Sequence, residues 1–135
     1  MKLYSQISKK QAVGFAKELV VEAKKEIIAT MNVDEEYSHP LPESYHDLLA
    51  KKAGGGINVT RYGFGSLRVF KTLQQYYPAI RFLYAGKIDS YQRMLIVDKK
   101  RGMFALDSKI FYTDFAPLAL HFVKYIEIVY NKEVV

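Results

Sequence analysis

The sequence predicts a single α/β domain, a mixed central sheet flanked by helices in the order αβαβαβββα. Three observations predict it. Apolar residues at Ala12, Phe15, Ala16, Leu19, Val20 and Ala23 recur at three- and four-residue steps, and the pattern then condenses to the unbroken run Ile27, Ile28, Ala29. The same helix-to-strand succession returns twice, with Gly54, Gly55 and Gly56 at one join and Pro78 at the other. Beyond Gly86 only strand patterns follow, until a last helical stripe at Leu118, Phe122, Ile126 and Val129.

With 135 residues and 50% apolar content, the chain has the size of one domain, residues 1–135, able to bury about two-thirds of the surface its unfolded form would expose. The longest apolar candidate, residues 115–129, is interrupted by His121, Lys124 and Glu127 and falls short of a membrane span. The first residues lack the apolar core of a secretory signal. Zero cysteines exclude disulfides and thiolate metal sites, and the expected location is the cytoplasm. No residue pattern calls for a cofactor. A net charge of +6 favours weak attraction to polyanions, yet the basic residues are scattered pairs such as Lys9 with Lys10 and Lys51 with Lys52, the ordinary dress of solvated helix faces.

Taken in order, Ser8 is an N-cap with Gln11 completing a capping box and Ile7 placed to staple back onto the first turn. The stripe from Ala12 to Ala23 makes this first helix amphipathic. Residues 27–31 form a buried strand, and residues 34–42, with adjacent acids Asp34, Glu35 and Glu36 and with Pro40 and Pro42, read as an exposed loop opening toward the ligand crevice of an α/β sheet. His39 and His46 lack a metal-partner pattern and are expected at the surface or as caps. Pro42 opens a second helix carrying Tyr45, Leu48, Leu49 and Ala53. Residues 57–62 alternate as a strand, and residues 63–66 read as turn chemistry that could also present amides to an anion. Ser66 caps a third helix with Leu67, Phe70, Leu73 and Tyr77 inward, and residues 79–84 are the third strand. Residues 94–97 and 103–106 form a hairpin, residues 110–112 a short strand, and Thr113 or Asp114 caps the last helix, with Pro117 in its tolerant first turn.

The hairpin carries the functional signal. Tyr91, Arg93 and Asp98 stand at the spacing of a His-x-Lys-x-x-x-x-Asp motif, and Ala105, Leu106, Asp107 and Ser108 occupy the place of a following Gly-Ser-x-Asn. This layout resembles the signature of the phospholipase D superfamily. In overall pattern, residues 8–131 look like one half of such a domain, similar to small one-motif members and to the ligand-sensing domains of TrmB-type regulators. In active members two motifs meet across a twofold axis, one His attacks phosphorus, the other protonates the leaving group, and Lys and Asn hold the non-bridging oxygens. Here Tyr replaces the His and Arg the Lys, and Asp98 alone survives unaltered. A phenol with an ordinary pKa of about 10 is a poor substitute for imidazole at neutral pH.

The resemblance therefore implies a non-catalytic ligand-sensing or interaction module, dimeric through the motif face, with Tyr91, Arg93 and Ser108 as contacts for a small anionic or sugar-like ligand. Strand alternation puts Tyr91 and Arg93 on one face with or without a ligand, and an ion pair between Arg93 and a nearby acid is an equal reading. Asp98 is equally a turn former. Two alternatives stay open. One is a phosphodiesterase or nuclease with Tyr91 as nucleophile and Arg93 stabilising the phosphorane. The other is nucleic-acid binding through Lys99, Lys100 and Arg101 at the hairpin tip. With no helix-turn-helix segment ahead of Ser8, a role in transcription would run through a regulator partner.

Overall fold

The computed structural model describes residues 2–130. Its seven strands form one sheet, built from β1 (Ser5–Ile7), β2 (Glu26–Asn32), β3 (Asn58–Phe64), β4 (Arg81–Gly86), β5 (Met94–Val97), β6 (Arg101–Leu106) and β7 (Lys109–Thr113). Their order across the sheet is β1-β7-β6-β5-β2-β3-β4. Strands β2, β3 and β4 run parallel, joined through helices, whereas β5, β6, β7 and β1 add antiparallel to the other edge of β2. The mixed α/β class read from the sequence is the observed one, although the order αβαβαβββα counts one strand too few for the segments assigned; to those segments the structure adds a strand and an α-helix.

The first is β1, which pairs Ser5 to Ile7 with Tyr112 to Ile110 near the far end of the chain. The second is α2 (Val33–Ser38), which replaces the expected loop. Three adjacent acids do repel, but here they occupy a first helical turn, where the helix dipole favours negative charge and Asn32 accepts from the Glu35 amide at 3.1 Å. The loop shrinks to residues 39–42. Residues 63 and 64 likewise belong to β3 rather than to a turn, and Gly86 ends β4 from within.

Helices α1 (Lys9–Glu22) and α3 (Glu43–Gly54) cover one face, where Leu19, Val20, Ala23, Tyr45 and Leu49 meet Ile27, Ala29, Val59, Leu95, Val97 and Met103. Burying each large side chain contributes roughly 1.5–3 kcal/mol. On the same side α4 (Leu67–Gln74) packs Phe70 and Leu73 on Met31, Val33 and Phe82. Gly63 lies in this contact, and a Cβ there would stand 2.8 Å from Phe70. Across the sheet, α5 (Ala116–Tyr125) sets Ala119 and Val123 on Ile28, Phe64, Ile96 and Phe104, and a π turn (Ile126–Tyr130) extends it with Ile126 buried. The side chain of Val129, and Asn131 at the end of the resemblance, lie outside the described residues.

The caps differ in detail from expectation. Ser66 accepts from Val69 at 3.4 Å, as predicted, but Ser8 makes no side-chain cap bond. Phe115 rather than Thr113 or Asp114 caps α5, while its amide donates to Thr113 Oγ1 at 3.1 Å. Leu67, expected inward, is exposed, because it sits in the first turn of α4 beyond the reach of the sheet.

Candidate functional site

Thr30, near the carboxyl end of β2, fixes the chain that leads into β5. Its hydroxyl donates to Gln92 O at 2.6 Å and accepts from the Met94 amide at 2.8 Å. Gln92 in turn donates to the Ala105 carbonyl. With that segment pinned, the alternation of extended backbone sends Tyr91 and Arg93 the same way. Tyr91 packs against Phe64 at 5.6 Å between ring centroids, and its hydroxyl is hydrogen-bonded by Arg93 and the Asn32 backbone. Burial pushes the phenol above its ordinary value, with Arg93 opposing the shift. Arg93 reaches Glu35 Oε1 at 2.6 Å. Burial pulls its guanidinium down, but the nearby Tyr91 and Glu35 outweigh this and hold the proton more firmly than usual.

These residues border a cavity of about 170 Å³ on the α1 and α3 side of the sheet. Ala12, Ala16, Leu95, Met103 and Ile110 supply apolar wall, while Asn32, Glu35, Tyr91 and Arg93 bring polar groups. A mostly apolar concavity with a few convergent polar groups, beyond the carboxyl end of a central parallel strand, is the usual form of a small-molecule site.

A second polar group shares the cavity wall. Arg61, on β3, is 2% exposed and places NH1 3.1 Å from His46 Nδ1. His46 Nε2 lies 3.2 Å from Glu36 Oε1, and the Glu36 carboxylate accepts from the Leu41 amide at 3.1 Å. Arginine can only donate, so Nδ1 accepts, while Nε2, although close to Glu36, makes no hydrogen bond among the described residues. Burial draws the Arg61 guanidinium below its ordinary value, against the pull of Tyr45 and Glu36. His46 is thus no surface residue but the link between a buried cation and a buried acid. Arg61 and Glu36 were missed in the sequence, although alternation with Val59 already assigned Arg61 to the core face.

Two other predicted positions lie elsewhere. Asp98 ends β5 at the opposite end from Tyr91, seven extended residues or roughly 20 Å away. Its carboxylate accepts from the amides of Lys24, Lys25 and Glu26 at 3.0, 2.8 and 2.9 Å. Partial burial raises this acid, and the three amides outweigh it and carry the group below the usual range. Asp98 and Lys99 both take positive φ in the turn, which Lys100 N closes onto Val97 O. Ser108, with Asp107, makes the two-residue turn between β6 and β7, is exposed, and does not line the cavity. The structure therefore joins Tyr91 to Arg93 and separates both from Asp98 and Ser108.

The basic tip is on the Asp98 side as well. Arg101 pairs with Glu22 at 2.6 Å, and Lys99 stands 3.9 Å from Glu26.

Set beside solved structures, the chain shares its fold with TrmBL2, described as an archaeal chromatin protein with a novel mode of DNA binding. The TM-score is 0.71 at 16% identity, covering 94% of this chain and 49% of that one. It also matches NucT from Helicobacter pylori, with TM-score 0.70 and 12% identity, and Nuc from Salmonella typhimurium, a phospholipase D family member, with TM-score 0.69 and 12% identity. Each of these two alignments covers 98% of this chain and 97% of the other. The chain thus spans about half the length of TrmBL2 and nearly all of the two smaller proteins. Compared with family models and with curated proteins, the sequence matches none. The phospholipase D-like fold, with its likeness to a TrmB-type protein, is the common ground.

Proposed function

We propose that this chain, a phospholipase D-like fold, is a non-catalytic ligand-sensing module that binds a small molecule at the Tyr91 and Arg93 cavity. The observation that carries this reading is the state of Tyr91. By motif spacing its phenol stands where the resemblance puts a nucleophilic imidazole; it is hydrogen-bonded by Arg93 and the Asn32 backbone, and burial raises its pKa above the ordinary value. Such a group donates a hydrogen bond well and attacks phosphorus poorly. The adjoining cavity gives a ligand somewhere to sit, and the half-exposed Arg93 can leave Glu35 for it at little cost. A regulatory role follows from binding without turnover, exerted through a second copy or a partner protein.

Amide NMR tests this. Titration with a panel of sugars, small carboxylates and phosphates is expected to shift the amides of Thr30, Asn32, Tyr91 and Arg93 saturably for at least one class. Tyr91→Phe should weaken that ligand by about tenfold, the worth of one hydrogen bond. Shifts confined to residues 98–101 on adding duplex DNA, with none at the cavity, would overturn the reading in favour of the basic hairpin.

A further inference from the structure

Resting on that ligand-binding reading, we propose that the cavity selects a small monocarboxylate with an apolar tail, its carboxylate received by Arg61 rather than by the motif residues. The starting observation is an incomplete set of partners. Arg61 is 2% exposed, its NH1 is used on His46, and its Nε has no acceptor among the described residues. Among the described residues no carboxylate meets the guanidinium directly. Glu36 lies on the far side of the imidazole, and the Tyr77 ring covers Arg61 at 5.7 Å. A buried cationic donor left this way is costly unless something supplies an acceptor, and Arg61 borders the cavity.

The wall sets the chemistry of that acceptor. A carboxylate accepts only and carries one negative charge, which matches a buried guanidinium that has no carboxylate directly against it among the described residues. Glu35 and Glu36 also border the cavity, so a dianion would face two carboxylates, and an amine would face the guanidinium itself. Ala12, Ala16, Leu95, Met103 and Ile110 carry no side-chain donors or acceptors and give a hydrocarbon tail its wall. A cavity of about 170 Å³, against about 10–15 Å³ to hold one water on the same measure, takes a chain of roughly six to eight carbons.

Calorimetry on the intact protein with octanoate, octanol, octylamine and octyl phosphate, at fixed ionic strength and neutral pH, decides it. Octanoate should bind at least about tenfold more tightly than octanol, as expected for a hydrogen bond to a charged group. Octyl phosphate should bind more weakly than octanoate, and octylamine should not bind. Arg61→Gln should remove the preference for the acid over the alcohol. Because Arg61 is buried and its loss can unfold the chain, Ala16→Leu is the companion variant: it keeps Arg61, fills the tail space, and should reduce octanoate affinity at least tenfold. Octanol binding as tightly as octanoate, or octanoate affinity unchanged in Ala16→Leu, overturns the assignment. If a sugar shifts the Tyr91 amides while no octyl compound binds, the carboxylate inference fails and the sensing reading stands. If neither panel binds, both fail.

Discussion

The Arg93 guanidinium lies 2.6 Å from the Glu35 carboxylate at the cavity edge, with side chains 45% and 49% exposed. The cation at the motif position is therefore neutralised within the chain itself, and an anionic ligand must compete with Glu35 for it. Exposed pairs of this kind contribute only about 0–1 kcal/mol. Glu35→Gln should shift the unfolding free energy by no more than about 0.5 kcal/mol, measured by urea denaturation. It should also raise affinity for a carboxylate probe severalfold, since one of the acids bordering the cavity then no longer repels it. Weaker carboxylate binding in this variant would contradict the arrangement.

Asp98 predicts a stability effect without a binding effect. Its carboxylate holds three amides at the start of β2, so Asp98→Ala should destabilise by about 1–3 kcal/mol while cavity binding is unchanged. The sign of the pH dependence follows from the lowered acid constant. The contribution is present above the unfolded value of about 3.9 and is lost as pH falls through the lower folded value. Denaturation curves of wild type and Asp98→Ala should converge in that acid range and differ fully at neutral pH.

What the sequence disclosed and concealed divides along physical lines. Local signals were legible: the stripe of α1, the glycine stop after α3, the Ser66 cap and the hairpin of β5 and β6. Strand β1 was not, since three residues without a marked pattern become a strand only by pairing with β7 a hundred positions later. The acids Asp34, Glu35 and Glu36 looked like one solvated run. They serve three separate partners: Asp34 accepts from the Ser66 amide at 3.1 Å, Glu35 pairs with Arg93, and Glu36 is buried beside His46. Tyr91 with Arg93 was readable from spacing, whereas the Arg61 cluster needed the fold to bring β3, α2 and α3 together.

Gly102 is a position where spacing, not conformation, demands glycine. A Cβ there would collide with the Leu95 carbonyl and come within 2.7 Å of Ile96 across the hairpin. Gly102→Ala should cost about 1–3 kcal/mol as an overpacked contact, read as a fall in the denaturation midpoint. An unaffected midpoint would show that the hairpin is looser than described.

The link through His46 makes a larger prediction. His46→Leu removes the group between Arg61 and Glu36 and leaves a buried cation and a buried acid without their partner. The expected loss is about 1.5–3 kcal/mol, the range for a hydrogen bond to a charged group. Chemical denaturation measures it, and a loss below about 1 kcal/mol would place the cluster in solvent rather than in the core.

A scaffold that keeps its shape without its nucleophile is tested most directly by covalent trapping. The protein is incubated with bis(p-nitrophenyl) phosphate and with DNA substrates, quenched in acid and weighed intact by mass spectrometry, with Tyr91→Phe alongside. The predicted result is an unmodified mass in both proteins and no nitrophenolate release above background. A phosphoryl adduct present in the wild type and missing in Tyr91→Phe would contradict it.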